Sequence, residues 1–486
     1  MLPEDAPVRI ANAQLEELEY RRLYAAYSSK GRKSAADPRV LFKVMVYGYE
    51  CGIYSSRKLE EACRYRVDFM WLLEDEKAPD HTTFARFRTG RCKEAVEELF
   101  YQYIKLLETQ GETDHEAVFV DGTKMESRAG RYTFCWKKST EKYLERVKQK
   151  SGCSTLKELC RLLEEQAKGI YFVYGSGHRK SPEQRAWESL DELRQKWEQY
   201  EQALGIMGSS RNSYAKTDHD ATFMRMKDDH MRNGQLKPAY NVQIGVNSEY
   251  ITGVAAYSNR NDSGTLQPFL RKMERNHQAR YTRIVADAGY ESKGNYIYLE
   301  STGQMSYIKP VNYEQKRTKK FKAQIGRIEN MRYDETEDCY VCAQGRRLPL
   351  RRECTEMQNG IPVTTAWYRC ENCSNCPQRA RCCKKTDAEA PKELRLERSF
   401  WEHRAVSTEN ISTEDGIKLR VNRSIQVEGA FGLLKTDFGF KRFLTTGMPN
   451  IQIELYFLAF GFNLKKYWMK QQKARQKTHL SETKVA

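Results

Sequence analysis

The chain has 486 residues, 40% hydrophobic and 11% aromatic, which supplies a packed core and excludes a disordered protein. Lysine and arginine number 82 against 65 acidic residues, a net charge of +17 that attracts polyanions and makes nucleic acid the expected partner. The most apolar run, Ile451 to Phe462, is broken by Glu454 and is far short of the roughly 20 residues that a membrane span needs.

No membrane partner is therefore expected. The first residues lack the basic and apolar stretches of a signal peptide, so the expected location is the cytoplasm. There the fourteen cysteines read as thiols or metal ligands rather than disulfides. The length suggests about three units.

Residues 1–112 read as a helical unit. Asp37-Pro38 gives an N-cap and a first-turn proline, and Leu41, Val44, Met45 and Tyr49 then recur at helical spacing until Gly52. A second helix is expected from Ser56 through Cys63. Asp80 opens a third, with Phe84 and Phe87 inward and Arg86, Arg88 and Arg91 outside. Short helices ending in arginines suit a helix-turn-helix-like DNA reader, or a small bundle whose arginines only face water. Cys51, Cys63 and Cys92 fall on helix faces and read as core.

A core of strands and helices is expected over 113–470. Ala117 to Val120 is a short apolar strand ending in Asp121-Gly122. Further strands read at Ala239 to Val246 and Tyr250 to Tyr257, then a helix near Ser263 to Arg275. Ile284 to Ala286 is another buried strand, ending in Asp287-Ala288-Gly289, and Ser306 to Lys309 is a weaker one. Strands grouped first and then alternating with helices predict an α/β (α+β mixed) fold, a mixed sheet flanked by helices. The loop Thr217 to Asp229 adds Asp218, His219, Asp220, Asp228 and Asp229, with His230 beyond it, as a rival source of ligands. Asp218 or Asp220 reads as the N-cap of a short helix through Phe223 and Met226.

Two insertions interrupt this core. Residues 137–210 read as a helical hairpin, opened on its second arm by Ser181-Pro182 with Gln184 completing a capping box. Leu190, Leu193, Trp197, Tyr200 and Leu204 form one stripe, and Leu156, Leu159 and Leu163 the matching one. Residues 312–413 hold eight cysteines, including Cys339-x2-Cys342, Cys370-x2-Cys373-x2-Cys376 and Cys382-Cys383. Thiolates two residues apart can grip tetrahedral zinc, through Cys339, Cys342, Cys370 and Cys373 or through Cys370, Cys373, Cys376 and Cys382. The alternative is a lobe packed with reduced thiols. Residues 471–486 read as a basic tail.

The chemistry is sought in three carboxylates. Asp121 and Asp287 each follow a strongly apolar strand, and Glu428 shares one helical face with Phe431, Gly432 and Lys435. Gly429 and Gly432 cost that helix roughly 1 kcal/mol each, so close approach of another backbone or a DNA strand is expected there. Three gathered acids need a counter-charge, and their hard oxygens suit Mg²⁺ or Mn²⁺. Two such ions about 4 Å apart support in-line displacement at phosphorus, with Lys435 placing a phosphate.

These stretches resemble a known family. Val118 to Thr123, Thr217 to Thr222, Tyr240 to Ile244, Ile284 to Tyr290 and Asn422 to Lys435 are similar to bacterial insertion-sequence transposases of the DDE superfamily, with Asp37 to Gly52 and Asp80 to Phe84 resembling their helical N-terminal domain. The resemblance implies an RNase H-like core, an oligomer acting on the nucleoid, and binding of the element's terminal inverted repeats and of target DNA. It also implies phosphodiester cleavage and joining of the 3′-hydroxyl ends, with Asp121, Asp287 and Glu428 holding two metal ions. The family often carries an arginine four residues and a tyrosine seven residues before the glutamate, where this chain has Ser424 and Val421. Arg423 and Arg420 stand five and eight residues before it, and Arg423 would lie about 140° away on an ideal helix. Arg420, Arg423, Lys435, Arg86 and Arg88 are the expected DNA contacts.

Overall fold

The computed structural model describes residues 2–27, 36–175, 179–226, 234–358, 361–383, 387 and 390–485. In chain order β1 (Ala117–Glu126) is followed by β2 (Phe134–Trp136), β3 (Ser213–Ala215), β4 (Thr222–Arg225), β5 (Leu236–Asn247), β6 (Tyr250–Tyr257), β7 (Arg283–Ala286) and β8 (Met305–Ile308). β5 pairs antiparallel with β1 along one edge and carries β4 and β6 in succession along the other. On the far side of β1, β7 and then β8 run parallel to it. This is the mixed sheet expected of an RNase H-like core.

Both faces of the central strands are covered, which is why β1 and β7 read as continuous apolar runs. Val118 and Val120 face Leu266, Phe269 and Met273 of the Leu266–His277 helix. Phe119 and Met125 face the opposite way, into a larger core shared with the N-terminal helices and the C-terminal helix Met448–Val485. The Ile451 to Phe462 run is thus an interior pillar, and no helix among the described residues is long and apolar enough to cross a membrane. Residues 471–485, expected as a tail, continue this same helix.

The Pro38–Glu50 helix is capped by Asp37, whose carboxylate accepts from Arg39 N at 2.8 Å. It packs on the C-terminal helix through Phe42 against Phe457 and Phe460, with ring centroids 5.7 and 5.4 Å apart. Gly461 lets the two backbones meet: a Cβ there would stand 2.5 Å from Glu50 N. Beside that contact the Glu50 carboxyl is fully buried, and burial pushes its pKa up to about 8 against the opposing pull of Lys465. A raised carboxyl pKa contributes stability below the unfolded value near 4.5, and that contribution is lost as pH rises through 8. Stability should therefore fall by several kcal/mol, on the order of 3–5, between those limits. Glu50→Gln should flatten this part of the profile in urea unfolding followed against pH. An unchanged profile would refute the assignment.

Asp80 caps its helix as expected, accepting from Thr83 N at 2.8 Å, and Phe84 and Phe87 are buried. Arg86 is exposed, but Arg88 corrects the reading of that face. A π-turn over Phe87–Arg91 shifts the helical phase and turns Arg88 inward, where it is 4% exposed and donates to Tyr54 O at 2.6 Å. Its guanidinium is thereby tied to the Tyr54 carbonyl within the bundle.

The loop after β3 also departs from expectation. Residues 222–225 are strand β4, not a helix, because they pair with the first residues of β5. Asp218 instead accepts from Ser127 Oγ (2.6 Å), the Tyr240 hydroxyl (2.8 Å) and Gly447 N (3.1 Å). Asp220 accepts from Met448 N at 2.7 Å, at the start of the C-terminal helix. Asp228, Asp229 and His230 lie outside the described residues.

The first insertion rises from the β2–β3 ribbon and has, among the described residues, three helices, Lys137–Ser151, Leu156–Ala167 and Pro182–Met207, closed around Val147, Leu159, Leu163 and Trp197. Ser181 caps the last, accepting from Gln184 N at 3.1 Å. The Gln184 amide is diverted from the capping box to Val173, donating to its carbonyl at 2.8 Å. The second insertion holds a five-stranded antiparallel sheet in the order β13-β12-β11-β10-β9. Its strands are β9 (Arg332–Asp334), β10 (Cys339–Val341), β11 (Arg347–Gln358), β12 (Ile361–Arg369) and β13 (Glu393–Glu397).

Candidate active site

The parallel register Val120↔Ala286 sets the residues that follow, Asp121 within β1 and Asp287 just past the end of β7, side by side. Asp287 closes β7, and its carboxylate accepts from Gly289 N at 2.8 Å, fixing the turn that follows. Asp121 is not at a strand end. β1 runs on to Glu126, with Asp121 opposite Ile244 of β5. Gly122 is therefore no turn residue: a Cβ on it would stand 2.4 Å from Gln243 Nε2 and 2.8 Å from Asp262 Oδ1. Glycine is needed there for a close approach inside the sheet.

The third element is the helical segment carrying Glu428. The helix Glu414–Arg423 passes into a π-turn over Ser424–Glu428 and then into the helix Gly429–Lys435. In a π-turn the residue five back takes the place that the residue four back takes in an α-helix. Arg423, seemingly displaced by one position, is thereby brought round to the site. Its Nη2 lies 3.3 Å from Asp121 Oδ2 and 3.7 Å from Asp287 Oδ2.

Two hollows meet at Glu428. One is lined by Asp121, Lys237, Glu428, Phe431, Gly432 and Lys435. The other is lined by Asp287, Lys309, Arg420, Arg423 and Glu428. The expected face of Glu428, Phe431, Gly432 and Lys435 thus borders a single cavity. Cβ atoms added at Gly429 or Gly432 would meet nothing within 4 Å, so no protein backbone approaches these glycines among the described residues. Arg420 lies over the Tyr313 ring at 5.0 Å on the wall of the second hollow.

Sequence reasoning missed Asp262, Asn241, Gln243 and Tyr290. Asp262 Oδ1 accepts from Asn241 Nδ2 at 2.7 Å and Gln243 Nε2 at 3.1 Å. The Tyr290 hydroxyl donates to Gln243 Oε1, and its proton is held well above the ordinary range by burial and then by Asp262, Asp121 and Asp287. The only sequence signal was a pair of amides at i and i+2 in β5, which places them on one face of the sheet.

Asp121 and Asp287 are close enough for one cation to serve both, as Arg423 does, and their hard oxygens fit Mg²⁺ or Mn²⁺. Among the described residues no group of three or more His, Cys, Asp or Glu side chains stands in place to enclose a metal by itself. Magnesium does not need such a cage, being usually held by one or two carboxylates with waters and substrate phosphates.

The cysteines are distributed differently from either expected foursome. Cys342, Cys370, Cys373 and Cys382 join the core of the second insertion with Leu348 and Tyr368, while Cys339 and Cys376 stay outside that cluster. Burial pushes the Cys370 thiol up to about 12 and raises that of Cys382. Cys342, Cys370, Cys373 and Cys382 thus pack together in the lobe's core, and among the described residues no cluster of these side chains is set in place to hold a metal.

Residues 341–468 match the family described as Transposase DDE domain, and residues 1–90 match the Transposase domain (DUF772). The first match includes Glu428 and Lys435; Asp121 and Asp287 fall outside both. No curated protein matches the chain.

Proposed function

We propose that this chain, which its family matches indicate to be an insertion-sequence transposase of the DDE type, cleaves phosphodiester bonds at the ends of its element and joins the freed 3′-hydroxyls to target DNA. The observation that supports this reading best is the meeting of Asp121, Asp287 and Arg423, with Arg423 delivered by the same helical segment as Glu428. Asp121, Asp287 and Glu428 would hold the divalent ions. When bound, these supply a Lewis acid for the phosphate and lower the pKa of the attacking oxygen's proton.

The remaining work falls to the protein's own groups. Lys435 and Lys237 line the hollow beside Asp121 and would hold a phosphate there by charge. Arg420 and Lys309 line the hollow beside Asp287 and would hold the adjoining strand. Arg423 orients the two aspartates between them. The bare glycine edge at Gly429 and Gly432 admits a DNA backbone without obstruction. Two ends have to be held together for joining, so the active form would be an oligomer.

The test is cleavage and joining of candidate element ends in Mg²⁺ or Mn²⁺. Glu428→Gln should slow cleavage by roughly a hundredfold or more. Lys435→Ala should weaken DNA binding and lower the slope of log affinity against log salt by about 1. Undiminished cleavage by Glu428→Gln would sink the assignment of that residue. Cleavage without joined product would identify a nuclease instead.

A further inference from the structure

The sheet of the second insertion has two unlike faces. Ala366, Tyr368, Leu394 and Leu396 point into the core of the lobe. Strand alternation turns their neighbours the other way, and the register sets Arg352, Trp367 and Arg395 in one row across β11, β12 and β13. Both arginines, one from each flanking strand, lie over the indole, their guanidinium carbons 5.0 and 5.6 Å from a ring centroid. Arg351 sits at the register shift between Leu350 and Arg352, and it joins Arg352, Trp367 and Arg369 in lining one hollow, together with Glu371 and Glu393. The charges on this face are unequally answered. Arg369 stands 3.8 Å from Glu393, whereas Arg351, Arg352 and Arg395 are exposed and pair with no carboxylate among the described residues. The lobe is fastened to the core on the Asp287 side. Glu397, the last residue of β13, pairs with Lys293 at 2.5 Å, and Arg404 in the following helix pairs with Glu291 at 2.9 Å.

We propose that this face docks the phosphate backbone of duplex DNA, with Arg351, Arg352 and Arg395 as the contacts and Trp367 as the support that holds two of them. The choice of partner rests on the proposed function. An arginine stacked on an indole keeps the donors at the edge of its planar fork free, and it is already ordered when a phosphate arrives. Three unpaired guanidiniums on one face complement a polyanion, and contacts to the backbone carry no sequence preference of their own. A nucleobase would have to displace the arginines to reach the indole, so the ring serves them rather than stacking on DNA.

The test is binding of the full chain to a fluorescein-labelled duplex of arbitrary sequence, followed by anisotropy over a range of salt and without divalent metal. Arg352→Ala combined with Arg395→Ala should lower the slope of log affinity against log salt by about 2, and to the same extent on every sequence. Arg194→Ala combined with Arg280→Ala removes the same charge from arginines already paired with Asp191 and Glu274, and should change the slope by less than about 0.5. Trp367→Leu keeps every charge; it should retain the slope and weaken binding by roughly threefold or more. Thermal unfolding checks that each variant is folded. A wild-type slope in the Arg352 and Arg395 double variant would overturn the docking surface, and a lowered slope in Lys435→Ala alongside it would leave the proposed function standing. An equal fall in the Arg194 and Arg280 control would also defeat the proposal, since net charge alone would then account for the effect. Wild-type affinity in Trp367→Leu would remove the indole from it. If the wild-type chain binds no duplex at any salt, the proposed function falls as well.

Discussion

Replacing Asp287 by asparagine should abolish strand cleavage, by roughly a thousandfold or more, while leaving the fold intact. Asparagine has the same shape and can still accept from Gly289 N, so the turn after β7 survives. The side chain is 42% exposed, so little packing is at stake and the cost to stability should stay within about 0.5 kcal/mol. What disappears is one of two charges facing Arg423. A loss of this size is about 4 kcal/mol of transition-state stabilisation, far beyond what the lost surface ion pair could supply. End-labelled DNA incubated with wild type and variant in Mn²⁺ gives the rate, and thermal unfolding gives the control. Cleavage within tenfold of wild type would remove Asp287 from the mechanism.

The second large effect concerns the joint between the N-terminal helices and the core. Gly461→Ala should destabilise the protein by about 2–3 kcal/mol, even though alanine favours a helix interior. The added carbon would be 2.5 Å from Glu50 N and 2.7 Å from Tyr49 C. Backbone cannot rotate aside as a side chain can, so the Pro38–Glu50 helix has to shift and the contacts of Phe42 and Tyr49 with Phe457 are lost with it. Gly429→Ala is the matched control. Its added carbon meets nothing within 4 Å, and it should be neutral or stabilising by up to about 1 kcal/mol. Equal urea midpoints for wild type and Gly461→Ala would show that the two helices are not in contact.

The sheet was legible because buried strands are short apolar runs and because aspartate punctuated two of them. The same aspartates misled about where β1 ends. Asp121-Gly122 has the composition of a turn, and only the pairing with β5 shows that the glycine answers to Asp262 across the sheet. Asp262 itself was invisible in the sequence. It lies in a polar stretch after β6, and nothing local distinguishes it from the other polar residues there. Residues 222–225 were misread for a related reason: Asp218 and Asp220 look like helix caps, but they serve Tyr240 and the start of the C-terminal helix from a distance. The cysteine spacings described possible pairs, and folding selected Cys342, Cys370, Cys373 and Cys382, a grouping that neither pairing scheme contained.

The π-turn at Ser424–Glu428 has a consequence for how such proteins are recognised. A signature written as a fixed number of letters between arginine and glutamate scores this chain as defective. The molecule measures that interval as an angle, and one inserted residue absorbed by a wider turn leaves the angle nearly unchanged. In this chain the wider turn sets Arg423, five residues before Glu428, beside Asp121 and Asp287.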